Sequence, residues 1–98
     1  MLSVVFRTAA GEQQGLGHLV RCSHLARALQ ARGHQVQLLV DHCDYRLAPF
    51  CAGLAVEPLY ETAPAALDPA EDAARVKERL MGWAADWLVV DDYRLATD

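Results

Sequence analysis

Gly15-Leu16-Gly17-His18-Leu19-Val20-Arg21 stands between an apolar run, Leu2 to Phe6, and a stretch with helical periodicity that starts at Gly17. This order reads as strand, glycine turn, helix. Open α/β sheets bind ligands at such βα turns, at the carboxyl ends of their strands. Glycine allows a sharp turn and close approach of the backbone to a ligand. The helix N-terminus that follows favours anions. The pattern is not a dinucleotide fingerprint, because Val20 stands where the third glycine of GxGxxG would be. Nor is it a P-loop, since no Gly-Lys-Ser/Thr follows.

Working outward, the same alternation repeats. Apolar residues Val20, Cys22, Leu25, Ala26 and Leu29 recur at spacings of three and four, one face of a helix. Gly33 is expected to end that helix in a left-handed cap. Val36 to Val40 reads as a second strand, and Tyr45 to Cys51 as a short helix closing near Gly53. Leu54 to Leu59 is a weak third strand, which Pro58 places at a sheet edge. Asp68-Pro69-Ala70-Glu71 combines a cap, a first-turn proline and an acid, so a helix is expected from there to about Met81 or Ala84. Trp87 to Val90 is the fourth strand. Strands alternating with helices imply a parallel sheet with right-handed crossovers. The expectation is a Rossmann-like α/β fold with helices on both faces and strand order 3-2-1-4. That order sets the first strand beside the fourth and brings the turn at His18 to the segment Asp91-Asp92-Tyr93.

Ninety-eight residues suffice for one small domain, and the 53% hydrophobic content suits a packed core. Nine Lys and Arg against thirteen Asp and Glu give a net charge of -4. This argues against nonspecific binding to nucleic acid or anionic membranes, which needs a basic surface. No apolar run reaches membrane-span length, and the N-terminus lacks the basic start of a signal peptide. A cytoplasmic location is the expectation. Cys22, Cys43 and Cys51 are odd in number and lack CxxC spacing, so reduced thiols are expected. His42, Cys43, Asp44 and Cys51 match no zinc pattern.

His18 falls in the first helical turn, where the dipole favours a neutral imidazole suited to general-base work; a packing or capping histidine is the even alternative. Arg21, three residues on, shares its face and can bind an anion or pair with Asp91 or Asp92. Adjacent carboxylates on a strand point to opposite faces, so only one of Asp91 and Asp92 is expected to orient His18 or Arg21. Tyr93 can offer a hydrogen bond to a sugar hydroxyl or a water, or simply pack. His24 and His34 read as surface residues, and Arg75, Lys77, Glu78 and Arg79 as a solvated helix face. Trp83 and Trp87 read as core or interface.

The run Phe6-Arg7-Thr8-Ala9-Ala10, the block Gly15 to Cys22, the pair of segments Leu25 to Leu29 and Gly33 to Val36, and the block Asp86 to Tyr93 together resemble the UDP-sugar hydrolases of pseudaminic acid biosynthesis. These relatives of spore-coat polysaccharide proteins have a GT-B glycosyltransferase-like fold. The resemblance implies hydrolysis of a UDP-linked diacetamido-trideoxyhexose, with His18 as general base for water and Tyr93 as its catalytic partner. It implies Gly15, Gly17, Arg7, Arg21 and Asp91 as substrate-binding residues, with no metal and no cofactor. It also implies that residues 1–98 are the N-terminal domain of a longer protein, whose C-terminal domain holds most of the nucleotide, and that this piece alone does not turn over. Two positions depart from the family pattern: Ala9 replaces an aspartate, and Asp92-Tyr93-Arg94 replaces His-Tyr-Gly. Two other readings stay open. One is a glycosyltransferase of the same fold with a sugar or lipid acceptor; the other is a non-catalytic binding or assembly module. An open edge on so small a sheet also makes a homodimer one way to cover it.

Overall fold

A computed structural model describes residues 1–8, 17–42, 48–61 and 66–91. Strands β1 (Ser3–Thr8), β2 (Gln35–Val40), β3 (Ala55–Pro58) and β4 (Trp87–Asp91) alternate with helices α1 (Gly17–Ala31), α2 (Ala48–Cys51) and α3 (Pro69–Met81). The four strands form one parallel sheet in the order β3-β2-β1-β4. The fold is the expected Rossmann-like α/β arrangement.

Side chains alternate across each strand and so divide the core in two. Val4 and Phe6 of β1 join Val36, Leu38 and Val40 of β2 against Leu19, Cys22 and Ala26 of α1. Val5 and Leu39 point the other way and pack with Leu59 and with Val76 of α3. Helices therefore cover both faces, α1 on one and α3 on the other. This follows from chain direction: β1 to β2 and β3 to β4 move oppositely across the sheet, and right-handed crossovers then fall on opposite sides.

The local signals act as their chemistry requires. Gly33 and Gly53 have φ of 89° and 78°, a region costly for other residues. The Asp68 carboxylate accepts a hydrogen bond from the Ala70 N–H at 3.1 Å and caps α3. β3 lies at the end of the described sheet, as Pro58 led one to expect, and is shorter than the expected Leu54 to Leu59.

Three expectations need correction. Leu25 does not belong to the buried face of α1 and is 49% exposed. That face is Leu19, Cys22, Ser23 and Ala26. Ser23 tolerates burial because its hydroxyl donates to the Val20 carbonyl at 2.8 Å. His34 is half-buried rather than a plain surface residue, and its Nδ1 accepts from the Leu2 N–H at 3.0 Å. The basic residues of α3 also reach further than a solvated face. Arg75 pairs with Glu71 one turn back, but it donates to the Leu59 carbonyl as well, and Arg79 pairs with Glu57 of β3. Among the described residues, no helix is long and apolar enough to cross a membrane.

Candidate functional site

The register of β1 with β4 sets Thr8 beside Asp91 at the carboxyl end of the sheet. Thr8 and Asp91 lie on the α1 face, with Phe6 and Val89 behind them. The N-terminal turn of α1 stands over this rim, and His18, Arg21 and Cys22 descend on one carboxylate. Arg21 Nε donates to Asp91 Oδ2 at 3.0 Å, and Arg21 Nη2 approaches Oδ1 at 2.6 Å and Oδ2 at 2.8 Å. His18 Nδ1 is 3.2 Å from Asp91 Oδ1. The Cys22 thiol donates to Asp91 Oδ2 at 3.3 Å.

The electrostatics follow from these contacts. Hydrogen bonds from Arg21 favour the ionised carboxylate and pull the Asp91 pKa from 3.8 to about 2, aided by His18 and Cys22. Asp91 raises the Arg21 pKa in return. Burial pushes the Cys22 thiol up to about 11, so it is a proton donor here and not a nucleophile.

Asp91 also bears on the imidazole. An ionised carboxylate only accepts hydrogen bonds. Arg21 Nη2 lies 3.0 Å from His18 Nδ1 as well, but its shorter contacts go to the carboxylate. We therefore assign the proton of neutral His18 to Nδ1, donating to Asp91. Nε2 is then the basic nitrogen. A histidine held through one nitrogen by a carboxylate is an arrangement that general bases use.

Arg7 lies elsewhere. Its side chain points to the α3 face and is 1% exposed. Nε and Nη2 form a two-pronged pair with Asp72 at 2.9 and 2.8 Å, and Nη2 lies 2.8 Å from Asp41. Nη1 donates to the Thr8 carbonyl at 2.8 Å, and the Tyr60 hydroxyl donates to Asp72 at 2.9 Å. Burial opposes the charge on Arg7, but the bonds to Asp72 and the charge of Asp41 outweigh it and raise its pKa. This network ties α3 and the end of β2 to β1. It places Arg7 on the other side of the sheet from His18.

Gly17 opens α1, and no described atom lies within 4 Å of where a Cβ would stand. Packing against the described residues thus does not call for glycine there. Gly15, Tyr93, Ala9 and Asp92 lie outside the described residues. Among those described, no group of three or more His, Cys, Asp or Glu side chains is arranged to hold a metal ion.

Sequence reading missed Asp41, Asp72 and Tyr60 as a unit. A signal existed: Asp72 precedes buried Val76 by one turn, and a carboxylate on a buried helix face needs a cation.

The sheet order and the cluster define a Rossmann-like α/β domain with a polar site where strand order reverses, between β1 and β4. No family model, curated protein or solved structure matches the chain.

Proposed function

We propose that this chain is the catalytic N-terminal domain of a two-domain nucleotide-sugar hydrolase acting on a UDP-linked diacetamido-trideoxyhexose. The observation that carries the reading is the convergence of His18 and Arg21 on Asp91 at the reversal of strand order, where ligands of such sheets bind. The resemblance of Gly15 to Cys22 and of Asp86 to Tyr93 to the pseudaminic acid hydrolases supplies the substrate class.

In this mechanism Asp91 holds His18 with its proton on Nδ1, and His18 Nε2 removes a proton from water as the water attacks the anomeric carbon. The bond from that carbon to the UDP oxygen breaks, and UDP leaves with the bonding pair. Arg21, anchored by Asp91, fixes the carboxylate and adds positive charge near the diphosphate. Tyr93 donates a hydrogen bond to the water or the sugar. In this reading a second, C-terminal domain holds the nucleotide.

The test uses the full-length polypeptide that carries this domain. His18→Asn should lower UDP release by roughly 10²–10⁴-fold, the range for a lost general base, with little change in melting temperature. Unchanged turnover would end the reading. Product analysis separates hydrolysis from transfer: free sugar marks water as acceptor, and a glycoside marks a transferase of the same fold.

A further inference from the structure

We propose that Cys22 is a positioning residue of this site: its buried thiol fixes the plane of the Asp91 carboxylate and, through it, the hydrogen bond between Asp91 and His18. The proposal deepens the reading of His18 as a base, and its kinetic arm rests on that reading.

The two oxygens of Asp91 are divided between two residues of α1. His18 Nδ1 lies 3.2 Å from Oδ1, and the Cys22 thiol donates to Oδ2 at 3.3 Å. Residues four apart on a helix stand one above the other on the same face. Two points on one rigid element therefore meet the two ends of one carboxylate. This matters because rotation about the last bond of an aspartate is soft. A carboxylate held at one oxygen can turn about that bond, whereas one held at both cannot turn without losing a contact.

Arg21 does not supply this constraint. Its Nη2 reaches both oxygens, at 2.6 and 2.8 Å, and its side chain is 64% exposed. A long, exposed side chain keeps its rotamer freedom and can follow the carboxylate as it turns. Cys22 cannot follow. Its sulfur moves about a single bond, and the residue is 3% exposed within the core formed by Phe6, Leu19, Ala26 and Leu38. Close packing leaves such a side chain in one rotamer. Arg21 thus supplies the charge, and Cys22 supplies the direction.

A thiol suits this place. Cysteine packs as a small apolar residue yet still carries a donor. A donor facing an ionised carboxylate makes a charge-assisted bond. Burial pushes the Cys22 pKa up to about 11, so the donated proton stays in place across the neutral range.

The test uses the full-length polypeptide with nitrogen-15-labelled histidine. It compares Cys22→Ala, which removes the donor, with Cys22→Ser, which keeps one. At about pH 9 a free imidazole is neutral. Long-range proton–nitrogen spectra, assigned with His18→Asn, then tell which nitrogen of His18 carries the proton. Wild type and Cys22→Ser should carry it on Nδ1, and Cys22→Ala should show a mixture of tautomers. In Cys22→Ala, kcat for UDP release should fall by roughly 10–100-fold, the scale of a misplaced catalytic group, with KM little changed. Cys22→Ser should recover part of that loss. A Cys22→Ala protein with wild-type tautomer and kcat overturns the proposal. So does a wild type with the proton on Nε2. Equal losses in Cys22→Ala and Cys22→Ser also overturn it, because they mark a packing role. If Cys22→Ala fails to fold, Cys22→Val, which fills the core without a donor, takes its place in the comparison. The tautomer is read without substrate. If His18→Asn leaves UDP release unchanged, the hydrolase reading fails and the spectra still decide the role of Cys22.

Discussion

His18 Nδ1 lies 3.2 Å from Asp91 Oδ1, although 73 positions of chain separate them. The same carboxylate receives Arg21 and Cys22, so one side chain at the end of β4 organises the first turns of α1. Replacing Asp91 with Asn tests this directly. The amide nitrogen can donate to Nδ1 and so favour the wrong tautomer, and the charge that anchors Arg21 is gone. In the full-length protein, kcat for UDP release should fall by roughly 10²–10⁴-fold, with a smaller change in KM. An unaltered kcat would remove Asp91 from any positioning role.

The acid limb of stability should report the same residue. The folded-state pKa of Asp91, about 2, lies below its ordinary 3.8. The unfolded chain therefore takes up the proton first as pH falls. The stabilisation from Asp91 is present in full above about pH 4 and disappears toward pH 2. Thermal melts of wild type and Asp91→Asn should differ at pH 5 and converge at pH 2. A gap that stays constant across this window would contradict the ion pair.

The buried network around Arg7 should dominate stability on the α3 face. Arg7→Leu leaves Asp72 and Asp41 buried without their cation. Removing one partner of a buried pair costs about 3–5 kcal/mol. Urea unfolding should show a loss of this size, and Arg7→Lys, which keeps charge but not the two-pronged geometry, should fall between. A change below about 1 kcal/mol would mean that water or rearrangement compensates the carboxylates.

Cys22 should resist modification in the folded protein. It is 3% exposed, and burial lifts its thiol to about 11. At pH 8 iodoacetamide should leave it intact in the native state and modify it readily in urea, as peptide mass mapping would show. Fast native alkylation would mean that α1 opens away from Asp91.

Much of the architecture was legible in the chain because periodicity and capping are local. The 3.6-residue pattern after Gly17, the Asp68-Pro69 start and the Gly33 stop each act within a few residues. Alternation of strand and helix, with the handedness of crossovers, leaves few topologies, and that is why the end of β4 could be expected beside the start of α1. That one of Asp91 and Asp92 would meet His18 or Arg21 followed from this topology and from the opposite facing of neighbouring strand residues; that it is Asp91, and that it meets both, came from the structure.

Tertiary structure decided what depends on the company a side chain keeps. Arg7 reads equally as a ligand for an anion or as a structural cation. Its fate rests on Asp41 and Asp72, 34 and 65 positions away. Leu25 is apolar and near the right spacing, yet Ser23 takes the buried place because its hydroxyl finds a carbonyl within its own helix. The apolar run of β4 reads as a buried strand, and only the assembled sheet shows that Trp87 is 63% exposed and Val90 51% exposed among the described residues. Local sequence sets which conformation each segment prefers, whereas burial and charge pairing are set by neighbours that the fold alone brings together.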